Sequence, residues 1–208
     1  PWGTSGDPAI VRPAFIDIAH ARFNQKRYKE AAAAYEDFLG RWPVHKQRPV
    51  ALYQAGLCYL RIGQAGDAVD RWEALVKDST NTPLAERAWA RAGDVYFQAD
   101  RYDDARRCYR GLLEHFGNSP AAGLASLRLA QCEYNAGRDA AALEAFSATI
   151  DKYPGTPYAK EAQRGTELAL YRLARTAKGE DVLARLVEQY PTSAFAADLQ
   201  QAGVDCDC

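Results

Sequence analysis

The chain has 208 residues, of which 48% are hydrophobic and 25% charged, and its formal net charge is -1. That apolar content suffices for a folded core, whereas the balanced charge excludes a global basic field of the kind that draws a protein to nucleic acid. No uninterrupted apolar stretch approaches the roughly 18 residues that span a bilayer, and 15 Gly and 10 Pro are too few for a turn-rich β fold. The composition therefore favours an all-helical protein.

The first residues, 1–12, include Gly, Pro, Ser and Thr and predict a flexible lead-in. From there the chain repeats with a period of 37 residues. One column of the repeat contains Ala31, Ala68, Ala105 and Ala142, and the position four residues later is bulky and apolar: Tyr35, Trp72, Tyr109, Phe146 and Leu183. Two further columns are small: Ala14, Ala51, Ala88, Ala125 and Ala162, then Ala19, Gly56, Gly93 and Ala130. A period of this length indicates stacked supersecondary units.

Each unit is predicted to be a helix pair, because its apolar residues recur at spacings of three, four and seven. The polar connections inside the units are short, which makes the two helices antiparallel: 24–27, 62–65 and 135–138. The segments between units combine Ser, Thr or Asn with Pro, which is typical of helix starts: 79–83, 117–120 and 154–157.

The predicted units are 13–48, 49–82, 83–119, 120–156 and 157–191, followed by a partial capping helix at 193–202 and a tail at 203–208. Because a single pair would expose too much apolar surface to be stable, neighbouring pairs must stack. We therefore predict an all-α fold, a single right-handed α-solenoid of about five antiparallel helix pairs over 13–202.

Two successive units resemble the tetratricopeptide repeat. The first carries Leu52, Ala55, Gly56, Tyr59, Gly63, Ala68 and Trp72, and the second carries Trp89, Ala92, Gly93, Tyr96, Tyr102, Ala105 and Tyr109. The resemblance covers roughly 14–190, and it implies a surface, lined by the first helix of every pair, that binds other proteins. The period is longer than the family's usual length of about 34, and the last unit has Glu167 and Gly179 where small residues and Ala are expected.

The loops at 152–162 and 189–199 are similar to those of bacterial envelope proteins with this repeat, of the BamD and Tol–Pal-associated type. This resemblance implies a periplasmic or envelope-associated location, with a cytoplasmic one as the alternative.

The resemblance places one set of side chains in the groove formed by the first helices. The candidate partner-binding residues are Tyr53, Arg61, Arg91, Asp94, Gln98, Arg128, Gln131, Tyr134, Asn135, Arg164 and Arg172. Amide side chains bind an extended peptide backbone, and Arg binds carboxylates through paired N–H groups. We expect a protein partner with an extended or helical acidic segment, and no nucleic acid. The alternative is that these polar residues are only a solvated helix face.

No catalytic or metal-binding pattern is evident. His20, His45 and His115 are far apart, and surface or capping roles are predicted for His45 and His115. Cys58, Cys108 and Cys132 lie in helical patterns and are expected to be small buried hydrophobic residues. A C-x-C tail, Cys206 and Cys208, lacks the four ligands of a zinc site. We expect no cofactor, no metal and no enzyme activity.

Three functions are compatible with the sequence. The first is a non-catalytic scaffold or adaptor that binds a peptide segment of a partner. The second is a structural segment of a larger bacterial envelope or motility complex, stacked against further repeats. The third is one part of an enzyme whose catalytic domain lies outside this sequence. Apolar ends would favour the second function, because an internal segment of a repeat array lacks polar caps.

Overall fold

In the computed structural model, residues 8–175 and 179–201 are described, and they form eleven helices. The helices are α1 (Pro8–Asn24), α2 (Tyr28–Arg41), α3 (Arg48–Arg61), α4 (Ala65–Asp78), α5 (Pro83–Gln98), α6 (Tyr102–Phe116), α7 (Ala122–Asn135), α8 (Asp139–Lys152), α9 (Pro157–Ala174), α10 (Gly179–Gln189) and α11 (Ala194–Gln201). The described residues contain no strand. Each helix of the predicted pairs is thus present, and α11 matches the expected partial helix.

The chain divides into two compact units, one up to Val95 and one from Tyr96 onward, where the sequence predicted a single body over 13–202. In unit 1, α1 packs on α2, α2 on α3 and α3 on α4. In unit 2, the helices from α6 to α10 pack in the same consecutive way, α7 also contacts α9, and α11 packs on α9 and α10. Each helix therefore contacts mainly its neighbours in sequence, as expected of stacked repeats.

The core of unit 1 is built from the small and aromatic columns of the repeat. Ala31, Ala68, Tyr35 and Trp72 are fully buried. The Trp72 indole packs directly against Gly56. A Cβ added at position 56 would lie only 2.7 Å from Trp72 Cε2. The absence of a side chain at position 56 thus lets the aromatic ring of the next helix fill the space beside α3.

Unit 2 repeats this packing with different residues. Ala105 and Ala142 are fully buried, and the aromatic residues four positions later, Tyr109 and Phe146, are 2% exposed. The Phe146 ring lies against Gly165 of α9, where an added Cβ would lie 2.5 Å from Cε1 of the ring. The predicted alternation of small and aromatic residues is therefore confirmed as the packing rule of both units.

The turns inside the pairs share one unusual backbone position. Residues one period apart hold φ between 56° and 80°, in the left-handed region: Lys26, Gly63, Asp100 and Gly137. Gly reaches this conformation without strain, which explains its presence in the second and fourth turns. Two of the three predicted turns between pairs use capping hydroxyls, whereas Ser119 Oγ of the segment 117–120 is buried without a hydrogen-bond partner. Thr82 Oγ1 accepts from the backbone N–H of Ala85 over 3.2 Å, and Thr156 Oγ1 accepts from that of Ala159 over 3.3 Å.

One boundary differs from the prediction. Helix α1 begins at Pro8, inside the segment 1–12 that was expected to be a flexible lead-in. A Pro at the first helical position lacks only an N–H that would have no partner in the helix, so it starts a helix well. The rest of that lead-in, the tail at 203–208 and its Cys206 and Cys208 lie outside the described residues. Within the described part, no helix has the length and the apolar character that crossing a bilayer requires.

The three interior cysteines are fully buried, as the sequence predicted. Burial raises the pKa of Cys58 to about 12 and that of Cys132 to about 12. Because the thiolate is the nucleophile, we expect Cys58, Cys108 and Cys132 to be unreactive toward Ellman's reagent at pH 8 in the native protein. The measurement uses a Cys206→Ser/Cys208→Ser variant, with the same protein in 6 M guanidinium as the control, where all three thiols should titrate. Rapid native titration of any of them would contradict the packing described here.

Candidate partner-binding surface

In unit 1, the structure corrects the prediction for Tyr53. Its side chain is only 9% exposed, and its carbonyl oxygen accepts a hydrogen bond from Trp72 Nε1 over 3.2 Å. Ile16, one period earlier, is fully buried. This position of unit 1 therefore lies in the core, whereas Arg61 on the same helix is exposed. Tyr53 offers a partner little surface.

The other predicted residues of unit 1 lie at the surface. Arg61 and Arg91 are exposed, and Asp94 is half-buried. Neither arginine takes part in an ion pair within the described ranges. Their role in partner binding stays a prediction.

Arg128, on α7 of unit 2, is held in a defined position although no acid pairs with it. Its guanidinium carbon lies 5.1 Å from the centre of the Phe97 ring, and its Nη1 donates to Gln131 Oε1 over 3.0 Å. Its Nε is buried without a hydrogen-bond partner. No carboxylate among residues 8–175 and 179–201 forms an ion pair with this side chain. A positioned, half-buried guanidinium with free N–H groups is suited to binding a carboxylate.

The open face of α7 carries a short row of side chains around Arg128. Leu124, Arg128, Gln131 and Asn135 are spaced by four, three and four residues, which places them on one helix face. Leu124 is 43% exposed, and Asn135 is exposed at the end of the helix. Leu124 is not among the residues that the resemblance placed in the groove. Its spacing of four residues from Arg128 would have placed it on the same helix face.

The structure brings Arg172 and Tyr134 together in a contact within unit 2. Arg172 Nε donates to both carboxylate oxygens of Asp139, over 2.7 and 2.8 Å, and its Nη2 donates to the Tyr134 carbonyl oxygen. Its guanidinium carbon lies 3.8 Å from the centre of the Tyr134 ring. The hydrogen bond to Asp139 raises the pKa of Arg172. This pair joins α9 to the turn between α7 and α8, so both predicted residues have a structural role.

Beside this pair lies a second ionic cluster that the sequence did not predict. The carboxylate of Glu133, only 8% exposed, accepts from Arg106 Nη1 over 3.3 Å and from Arg138 Nε over 2.5 Å. Asp103 contacts the same two arginines, over 3.2 and 3.1 Å. The hydrogen bond to Glu133 raises the pKa of Arg138. These ion pairs link α6, α7 and the start of α8. They stabilise the part of α7 that carries Arg128 and its neighbours on the open face.

The remaining predicted residues of unit 2 are exposed. Arg164 on α9 is 77% exposed and pairs with Glu161 over 3.3 Å, an exposed pair of the kind that contributes little to stability. Gln98 is exposed at the end of α5. Leu168, which was not among the predicted residues, is half-buried on α9. Arg164 and Leu168 lie near one another on the helix that packs against α7.

The described residues contain no group of three or more His, Cys, Asp or Glu side chains that could bind a metal ion. His20 is half-buried, and its ring centre lies 5.6 Å from that of Tyr35. Its Nε2 is buried without a partner. This arrangement offers neither a nucleophile nor a ligand set.

A family model described as tetratricopeptide repeat matches residues 16–70, 53–106 and 90–157, and a second model with the same description matches 168–193. No curated protein matches the chain significantly in sequence. Together, the matches of the first model extend over most of the chain.

Several solved structures are similar to this one. A crystal structure of MamA is 18% identical with a TM-score of 0.62, and the alignment covers 93% of this chain and 96% of MamA. YrrB, described as a tetratricopeptide repeat protein with an unusual peptide-binding site, is 18% identical with a TM-score of 0.58, covering 90% of both chains. A tetratricopeptide repeat protein of Parabacteroides merdae is 13% identical with a TM-score of 0.62, covering 91% of this chain and 72% of that one. These likenesses confirm the predicted fold class, an all-α solenoid of antiparallel helix pairs.

Proposed function

Because the chain belongs to the tetratricopeptide repeat family, we propose that it is a non-catalytic scaffold that binds a segment of a partner protein. The binding surface is the α7–α9 surface of unit 2, defined by Leu124, Arg128, Gln131 and Asn135 of α7 and by Arg164 and Leu168 of α9. The observation that carries this proposal is the state of Arg128, a positioned cation without an acidic partner in the described part of the chain.

Burial makes an unpaired Arg128 unfavourable in the free protein. Part of its guanidinium is removed from water, since Nε is buried, yet no carboxylate compensates for the lost hydration. The stacking on Phe97 and the hydrogen bond to Gln131 keep the side chain from turning away. A carboxylate of a partner would supply the missing charge-assisted hydrogen bonds at little cost in side-chain entropy. This supports an acidic residue in the bound segment.

The row on α7 has the length of a short peptide. From Leu124 to Asn135 the helix rises by about 16 Å, at roughly 1.5 Å per residue, which an extended segment of about five residues spans. Gln131 and Asn135 supply amide groups for the backbone of such a segment, and Leu124 and Leu168 supply apolar contact. YrrB has a peptide-binding site on the same fold, which supports a peptide as the ligand.

The proposal is tested with a displayed random-peptide library selected on the purified protein. We expect the wild type to enrich peptides that share an acidic residue, and Arg128→Glu to bind the enriched peptide at least about tenfold more weakly, because a charge-assisted hydrogen bond becomes a repulsion. Fluorescence anisotropy of the labelled peptide measures the change in Kd.

The control is Arg110→Glu, which makes the same charge change at an exposed position on α6 of the same unit. This variant should bind as the wild type does. Equal affinity of Arg128→Glu and Arg110→Glu, with both variants folded by circular dichroism, would contradict the α7–α9 surface as the peptide site.

The second candidate is a structural segment of a larger bacterial envelope or motility complex, and one observation favours it. Helix α11 begins at Ala194, one period after the Pro157 that begins α9, and Phe195 packs on Tyr171 with ring centres 4.9 Å apart. Ala194 and Ala197 are exposed on this helix, so α11 has the position and small outer residues of the first helix of a further repeat. Failure of the wild type to enrich any peptide would favour this candidate.

We also propose a periplasmic or envelope-associated location, of the BamD and Tol–Pal-associated type. The support is the resemblance of the loops at 152–162 and 189–199 to those of envelope proteins. Fractionation of cells that express the full-length protein tests the location.

A further inference from the structure

The turn between α2 and α3 departs from the pattern of the chain's own repeat. One position of the turn that leads into each first helix is a hydroxyl residue in the later turns, Thr82, Ser119, Thr156 and Ser193, but it is His45 in this one. The position before it is Asn81, Asn118, Gly155 and Thr192, but here it is Val44. The position after it is Pro83, Pro120, Pro157 and Ala194, but here it is Lys46. Three adjacent residues suited to a helix start are thus replaced by an apolar residue, an imidazole and a cation.

His45 makes a local hydrogen bond to the backbone just before α3, which begins at Arg48 without a side-chain cap. Its Nδ1 accepts from the backbone N–H of Gln47, two residues on, over 3.2 Å. Ser193 Oγ accepts in the same way from the N–H of Phe195, also over 3.2 Å. The ring packs edge-on against Phe38, with centres 5.3 Å apart. Because Nδ1 is an acceptor, the proton of the neutral ring is on Nε2, which leaves an N–H donor on the other side of the ring.

The two neighbours of His45 are open to solvent. Val44 is 99% exposed, although it is a large hydrophobic residue. Lys46 is exposed and forms no ion pair with any carboxylate in the described ranges. Neither residue contributes to the core, so neither replacement is explained by packing within unit 1.

These residues line an open cavity of about 500 Å³. Its other walls include Arg48 and Asp78, whose Nε and Oδ2 atoms are 2.7 Å apart, together with Pro43 and Pro49. Asp78 is the one carboxylate among the lining residues, and Arg48 already pairs with it. The charge left unpaired in the cavity is the ammonium of Lys46, and His45 lines the same cavity.

We propose that this cavity is a second docking site, which binds a partner-protein segment that carries a carboxylate next to an apolar side chain. The carboxylate lies between Lys46 Nζ and His45 Nε2, and the apolar side chain packs on Val44 and the two prolines. Charge complementarity identifies the occupant, since the cavity offers unpaired donors and a cation but no free acid. The site lies wholly in unit 1 and does not depend on the α7–α9 surface.

The test uses the 208-residue chain labelled with ¹⁵N and a capped tetrapeptide, acetyl-leucine-glutamate-leucine-aspartate-amide. We expect the peptide to shift the backbone amide signals of residues 44–48 and 78–79. The matched peptide with glutamine and asparagine in place of the acids should bind at least about tenfold more weakly. Absence of shifts in this turn, or equal affinity for the two peptides, would overturn the proposal.

The chain supplies its own matched variant. The triple substitution Val44→Asn, His45→Thr and Lys46→Pro copies residues 81–83, so it introduces the capping hydroxyl of that turn while it removes the proposed contacts. Binding should be lost in this variant and also in Lys46→Glu, which leaves the turn sequence otherwise intact. Lys29→Glu, an exposed lysine on α2 outside the cavity, is the charge control and should bind normally. Retained binding in folded Lys46→Glu would overturn the proposal even if the triple variant failed to fold.

Discussion

Trp72→Ala is expected to lower the free energy of unfolding by about 3–5 kcal/mol, the range for removing a fully buried large aromatic side chain. The indole is fully buried in unit 1, fills the space above Gly56 and donates to the Tyr53 carbonyl. The substitution therefore leaves a cavity and removes the hydrogen bond from the indole to the Tyr53 carbonyl oxygen. Urea unfolding followed by circular dichroism at 222 nm measures the loss.

Two glycine variants form a matched control for this packing. Gly56→Ala adds a Cβ 2.7 Å from Trp72 Cε2 and should destabilise the protein by about 1–3 kcal/mol through overpacking. Gly66→Ala, on α4, adds a Cβ that meets nothing within 4 Å, and it should stabilise the helix by about 0.5–1 kcal/mol. Both substitutions add one methyl group to a helical glycine, but their expected effects on the free energy of unfolding have opposite signs. A loss of less than 1 kcal/mol for Trp72→Ala, or the same sign for both glycine variants, would contradict the small-on-aromatic packing.

Arg138→Ala is expected to lower the free energy of unfolding by about 2–3 kcal/mol. Glu133 is only 8% exposed and would keep Arg106 as its remaining ionic partner, so a buried carboxylate would lose most of its compensation. The figure is below that for a fully buried pair because Arg138 is 35% exposed and partly screened by solvent. The same urea measurement applies.

A double-mutant cycle separates this pairing from a general loss of charge. The Arg138→Ala/Glu133→Gln variant should be more stable than the sum of the single effects by about 1–2 kcal/mol, because the uncompensated charge is removed. Arg110→Ala, on the exposed face of α6, should change stability by less than about 0.5 kcal/mol. If the loss of stability in the double variant equals the sum of the two single losses, the ion pair contributes nothing to the packing of α6, α7 and α8.

The sequence alone predicted the helices and the core because both depend on local periodicity. Residues such as Ala68, Trp72, Ala142 and Phe146 recur at helical spacings and one period apart, and all four are buried. The capping residues Thr82 and Thr156 were also predictable, since a cap acts within three residues of itself.

The candidate site was predictable only in part. The resemblance included Arg128, Gln131 and Asn135, which share one face of α7, but it also included Tyr53, which is buried. Arg172 was expected to be free for a partner, yet it pairs with Asp139, 33 residues earlier. A contact at that separation is not specified by helical or repeat spacing, because it depends on the side-chain rotamers of two packed helices.

The sequence by itself determined an all-helical chain of repeated pairs with a small-on-aromatic core, because apolar burial is strong and is encoded by spacing along the chain. Only the tertiary structure decided which charges are free. Arg128, Arg138 and Arg172 are the same residue type in similar helical contexts, and the structure leaves the first without an acid while it pairs the other two. Ionic pairing is set by distances of a few ångströms between elements, so it follows from packing and not from sequence pattern.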